Sequence, residues 1–137
     1  MSKNETDMTK QKGRLLAIDT GSTSTKIGYF VDGKLAFEEN VWHRAEDLAE
    51  FSDVMEQDTL RRDDLRIFMR GKGIHAQDID IIMARGGLFY PVGTGIYSVN
   101  EDLRKGLRSR KYGRHACHLS AIIAGDLAKE GTRENHE

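Results

Sequence analysis

The sequence predicts a mixed α/β domain, with an antiparallel three-stranded sheet, a parallel fourth strand and flanking helices. Three observations lead there. Close-spaced runs of strand length fill residues 14–42, helical spacing takes over after Trp42, and a compact apolar run, "DIDIIMA", returns after a helical stretch.

The first two strands are expected at 14–19 and 25–31, on either side of a polar turn. "DGK" at 32–34 marks a tight hairpin into a third strand at 34–42. Strands joined this closely form an antiparallel meander, because parallel pairing needs a longer crossover. "HRAEDLAEF" places Leu48 and Phe51 on a short helix, and Leu65 set against Phe68 and Met69 predicts a helix over 58–72 ended by Gly71 or Gly73. The apolar run at 79–84 then enters the sheet parallel to an existing strand.

"RGGLFYPVGTGIYSV", 85–99, reads as an irregular loop, since Pro91 has no N–H for a ladder. Ser98 and Glu101 form a capping box for a short helix at 99–108. A last helix at 114–130 carries Leu119, Ile122, Ile123 and Leu127 on one stripe, with Gly131 as its expected stop. The organisation expected is a disordered polar tail (1–13), one domain (14–131) and a second polar tail (132–137).

The chain has 137 residues and a formal net charge of -1, a size that supports one core. Near-neutral charge argues against a nucleic-acid partner. No apolar stretch is long enough to span a membrane, and "MSKNETDMTKQKG" lacks the apolar core of a signal peptide. Cys117 is the single cysteine, so no internal disulfide forms. These features predict a soluble, cytoplasmic protein.

The chemistry concentrates in "LLAIDTGSTSTKIGYF", 15–30, where an apolar run ends in Asp19 and passes through Gly21 and four hydroxyls to Lys26. Such a turn can aim backbone N–H groups at an anion, while the alternative is an ordinary polar hairpin turn. Lys26 suits either a phosphate or a solvated strand edge. His115, Cys117 and His118 lie too close together to match common zinc spacing.

"GSTSTK" at 21–26, "RGGLFYP" at 85–91, "GIYSVNEDL" at 95–103 and "GRHACHLSAIIAGDLAKE" at 113–130 together resemble the N-terminal domain of butyrate kinase. That family stands with acetate kinase in the sugar kinase, Hsp70 and actin superfamily, and the resemblance implies a ribonuclease-H-like (actin-like ATPase) fold. It implies phosphoryl transfer between ATP and a short-chain carboxylate such as butyrate, with ATP/ADP and Mg²⁺ as cofactors. The family has two similar domains around a cleft, so the resemblance covers half a kinase. It implies self-association or a complementary kinase domain as partner, a small carboxylate or acyl phosphate as ligand, and little catalysis by an isolated monomer. The reading from another class is a non-catalytic phosphate- or nucleotide-binding, or protein-interaction, domain.

By the same resemblance, Gly21, Ser22, Thr23, Ser24 and Lys26 lie at the phosphates. Arg85 and His115 are the catalytic candidates, and Arg85, Gly86, Gly87 and Phe89 contact substrate. Arg85 suits this because a guanidinium fork matches carboxylate or phosphate. The alternatives are a structural arginine and a capping or surface histidine. Leu88, Phe89, Tyr90 and Pro91 suit an alkyl pocket, core packing or an interdomain face equally. Asp19 stands where the family usually has asparagine, and an aspartate there can hold Mg²⁺ directly or through water. Arg114 replaces a usual acid, and Cys117–His118 a usual Ser–Asn.

Overall fold

The computed structural model describes residues 12–85, 101–108 and 115–136. Strand β1 (Arg14–Thr20) pairs antiparallel with β2 (Ser24–Val31), which pairs antiparallel with β3 (Lys34–Trp42). Asp32 and Gly33 turn the hairpin with φ of 52° and 81°, the doubly left-handed geometry that matches strand twist. Between Tyr29 and Phe30 the register slips, so that Tyr29 faces Phe37 and Phe30 faces Leu35, leaving Ala36 as an extra residue.

β4 (Ile81–Ala84) joins the other edge parallel to β1, giving the order β3-β2-β1-β4. It begins two residues later than the expected position 79, because a 3-10 turn at Ala76–Asp78 precedes it and Asp80 N–H is bonded to Arg14 O. The meander and the parallel fourth strand are both as the sequence predicts.

Four helices accompany the sheet among the described residues: α1 (Ala45–Leu48), α2 (Asp58–Gly71), α3 (Glu101–Arg108) and α4 (Leu119–His136). Strand alternation puts Leu16, Ile18, Ile27, Tyr29 and Val41 on one face. There they share a core with Leu65 and Met69 of α2, Leu107 of α3, and Leu119, Ile122, Ile123 and Leu127 of α4. Each such fully buried aliphatic stabilises the fold by roughly 1.5–3 kcal/mol. The Arg62–Asp126 ion pair (2.6 Å) and the Arg66–Glu130 pair tie α2 to α4.

The last helix differs from expectation at both ends. Residues Ala116–His118 form a 3-10 turn, α4 proper starts at Leu119, and it runs through Gly131 to His136. Gly131 does not stop the helix. A Cβ there would lie 2.9 Å from the Ala76 carbonyl oxygen, so the glycine permits close approach of α4 to the 76–78 turn. The short helix expected at 99–108 appears at Glu101–Arg108, and its proposed cap, Ser98, lies outside the described residues, as do the 85–99 loop beyond Arg85 and the tail at 1–11.

Candidate functional site

β1 and β4 run parallel, so their carboxyl ends open at the same edge of the sheet, the usual place for ligands in open α/β sheets. Asp19 stands there on β1. Arg85 follows β4 directly, and its N–H is bonded to Ile18 O at 2.9 Å. That bond sets Arg85 beside Asp19, and its Nη1 donates to Asp19 Oδ2 at 3.3 Å. The pair is exposed and long, so it contributes little to stability and leaves both groups free to rearrange.

Thr20 ends β1 and pins α4 to it. Its N–H donates to Ser120 Oγ (2.9 Å), and its hydroxyl donates to Ala116 O and lies 2.7 Å from Ser120 Oγ. These bonds bring the start of α4 to the same edge of the sheet. His115, the exposed residue before the 3-10 turn, therefore lies at that edge, and its ring meets the buried His118 ring edge-on.

The turn after Thr20 closes through Gly21 N–H donating to Ser24 O at 2.8 Å. Gly21 has no left-handed φ, and a Cβ would sit 3.4 Å from Ser24 O, a close but ordinary contact. From beneath, the Arg61 side chain of α2 fills the turn. Its Nη1 donates to Gly21 O (2.7 Å) and Ser24 O (3.4 Å), its Nη2 to Ser22 O (2.8 Å), and its Nε to Gln57 Oε1 (3.0 Å). Arg61 is fully buried and has no carboxylate partner among the described residues. Burial lowers its pKa from the ordinary arginine value, yet a guanidinium stays charged.

A second buried array stands beside it. His43, after β3, has its N–H bonded to Thr23 O at 3.1 Å. Its Nδ1 lies 2.8 Å from Asp64 Oδ2 and its Nε2 2.8 Å from Thr25 Oγ1. The carboxylate selects the Nδ1–H tautomer, so Nε2 accepts from the Thr25 hydroxyl. Burial pushes the imidazole below its usual pKa; the Asp64 hydrogen bond opposes that shift and the Arg61 charge adds to it.

Of the residues expected at the site, Asp19, Gly21, Ser22, Thr23, Ser24, Arg85 and His115 lie at this edge. Lys26 pairs in register with Asp19, on the sheet face opposite the core, and forms an ion pair with Glu38 at 3.0 Å. Gly86, Gly87 and Phe89 lie outside the described residues. No group of three or more His, Cys, Asp or Glu side chains able to hold a metal occurs among the described residues. Arg61, His43, Asp64, Thr20 and Ser120 join the site although no motif in the sequence marks them. The signal for Arg61 was present: positions 61, 65 and 69 share one helical face, and two of them are core residues.

No protein-family model matches the chain. Individual relatives do. It is 41% identical over 118 residues to a "Probable butyrate kinase" of Listeria monocytogenes serotype 4a, covering 86% of this chain and 33% of that protein. It is 38% identical over 117 residues to a "Probable butyrate kinase" of Coprothermobacter proteolyticus, and 36% identical over 117 residues to "Butyrate kinase 1" of Clostridium acetobutylicum, each match covering 85% of this chain and 33% of the relative. The chain is homologous to the butyrate kinases. It spans about a third of the length of the relatives it matches. The mixed sheet flanked by helices is consistent with the actin and sugar-kinase type of fold. No helix among the described residues is long and apolar enough to cross a membrane.

Proposed function

We propose that this butyrate-kinase-like chain carries the phosphoryl- and carboxylate-holding part of a kinase that transfers phosphoryl from ATP to a short-chain carboxylate such as butyrate. The observation that carries this reading is the placement of Arg85 beside Asp19 at the carboxyl ends of two parallel strands, with the Gly21–Ser24 turn following β1 at the same end. We assign the order β3-β2-β1-β4 to the ribonuclease-H-like class.

In the reaction, a carboxylate oxygen attacks the γ-phosphorus, its bond to the bridging oxygen breaks, and ADP leaves with the electron pair. No proton need move, so positioning and charge stabilisation are the protein's tasks. The Arg85 fork would hold the carboxylate and the moving phosphoryl group together, and the His115 imidazole would donate to a phosphoryl oxygen. N–H groups of Ser22 and Thr23 and hydroxyls of Ser22, Thr23 and Ser24 would receive the phosphates, with Lys26 adding charge at the rim once released from Glu38. Gly86, Gly87 and Phe89 would complete the substrate side. Asp19 fits Mg²⁺ as a single half-exposed carboxylate, because that ion takes one or two carboxylates and draws its other oxygens from phosphate and water. Bound there, Mg²⁺ would neutralise phosphate charge.

The sheet face opposite the core fits the partner this reading needs. It exposes Trp42 (70%), Leu35, Ile81 and Met83, apolar surface suited to a complementary kinase domain or to a second copy. One domain cannot close a dry cleft around ATP, so the isolated monomer would turn over little. The second reading is a module that binds phosphate without transferring it.

Acyl hydroxamate formation from ATP, Mg²⁺, butyrate and hydroxylamine tests the proposal. Product is expected when the chain is combined with the remainder of a butyrate kinase, and little from the chain alone. Phosphate binding with no hydroxamate in any pairing would leave the binding module. Full turnover by a strictly monomeric chain would overturn the partial-kinase reading.

A further inference from the structure

A fully buried guanidinium with no carboxylate beside it is costly, because an uncompensated charge inside a protein loses its hydration. Among the described residues Arg61 is such a group, and its location is specific. All its terminal contacts are carbonyls of the Gly21–Ser24 turn. In a trans peptide the N–H points opposite to the C=O. The Gly21 carbonyl turned inward to Arg61 therefore turns the Ser22 N–H outward. The Ser22 carbonyl, held the same way, turns the Thr23 N–H outward. Both residues are exposed, and neither N–H has a hydrogen-bond partner among the described residues. Two successive outward N–H groups over a buried cation make an anion-receiving surface.

We propose that Arg61 is the positioning residue of this site, and that the phosphoryl group bound on the outer side of the turn is its counter-ion. The proposal rests on the phosphate reading of the turn given above. Arg61 acts from the far side of one peptide layer. Its fork fixes the direction of two peptide planes, and its charge attracts the anion through them. Either contribution alone predicts a different variant. A lysine keeps the charge and loses the fork. A carboxylate at Gln57, already 3.0 Å from Nε, keeps the fork and cancels the charge with almost no change of shape.

The test is an NMR titration of the chain with inorganic phosphate and with pyrophosphate, following the Ser22 and Thr23 amides, alongside thermal melts. In the wild type both amides should shift saturably. Gln57→Glu should melt at or above the wild-type temperature, because it supplies the buried cation with a partner, and should bind roughly tenfold more weakly. Arg61→Lys, if folded, should also bind more weakly, and should lose the ordered Ser22 and Thr23 amide positions even without ligand. A Gln57→Glu chain that melts lower than wild type, or binds phosphate equally well, would overturn the role of Arg61. Wild-type amides at 22 and 23 that ignore both ligands would overturn the phosphate reading itself, and this proposal with it. The two failures are thus distinguishable.

Discussion

His43 and Asp64 meet through Nδ1 and Oδ2 at 2.8 Å, joining the end of β3 to the middle of α2 directly beneath the turn. The imidazole is buried, and its other nitrogen takes the hydroxyl of Thr25, itself fully buried. A neutral ring satisfies all three residues at once, and a protonated ring has no acceptor left for Thr25.

Acid should therefore loosen this region. Burial holds the folded-state pKa of His43 below the unfolded value of 6.5. The unfolded chain thus binds more protons in the interval between the two values, and stability falls as pH falls. The contribution is fully present above about pH 6.5 and is lost as pH drops through the folded-state pKa. Denaturant melts from pH 8 to 5 should show the decline in wild type and a smaller one in His43→Ala. That variant should also lose about 2–4 kcal/mol at pH 8, from the cavity and the stranded Thr25 and Asp64 groups. Equal pH slopes in the two proteins would remove His43 from the account.

Thr20→Val keeps the strand-favouring shape and removes the hydroxyl that binds Ala116 O and Ser120 Oγ. A loss of about 1–3 kcal/mol is expected by chemical denaturation, because the bonds are buried. The His115 and His118 ring resonances should shift with it, since these bonds dock the 116–118 turn. An unchanged His115 environment would mean that Thr20 does not position that end of the site.

Gly131→Ala separates a helix stop from a close approach. In an open helix alanine would stabilise by about 1 kcal/mol. Against the Ala76 carbonyl at 2.9 Å it should instead destabilise, by about 1–3 kcal/mol. Gly71→Ala is the control, because nothing lies within 4 Å of a Cβ there. Stabilisation at Gly131 would contradict the packing of α4 on the 76–78 turn.

The strand meander was legible because its cues are local: the Asp32–Gly33 turn, the alternation and the short spacing. β4 was legible from its compact apolar run, and the turn at Gly21–Ser24 from its hydroxyls between two strands. Gly131 was misread because close approach is a tertiary fact, and a glycine near a helix end looks like a stop. Arg61 is hard to read because a charged side chain on a helix looks solvated unless its neighbours at 65 and 69 are weighed with it. His43 sits at a strand end, where sequence gives no sign that a carboxylate 21 residues later will meet it.

The most direct measurement of the central claim is calorimetric binding of butyryl phosphate to the chain and to its Arg85→Ala variant. Arg85 is exposed and its pairing with Asp19 is weak, so the variant should melt within about 0.5 kcal/mol of wild type. The account predicts saturable binding by wild type and at least a tenfold loss in Arg85→Ala, since a bidentate charged contact to the phosphoryl group disappears. Equal affinity in the two proteins, or no binding by folded wild-type chain, would contradict it.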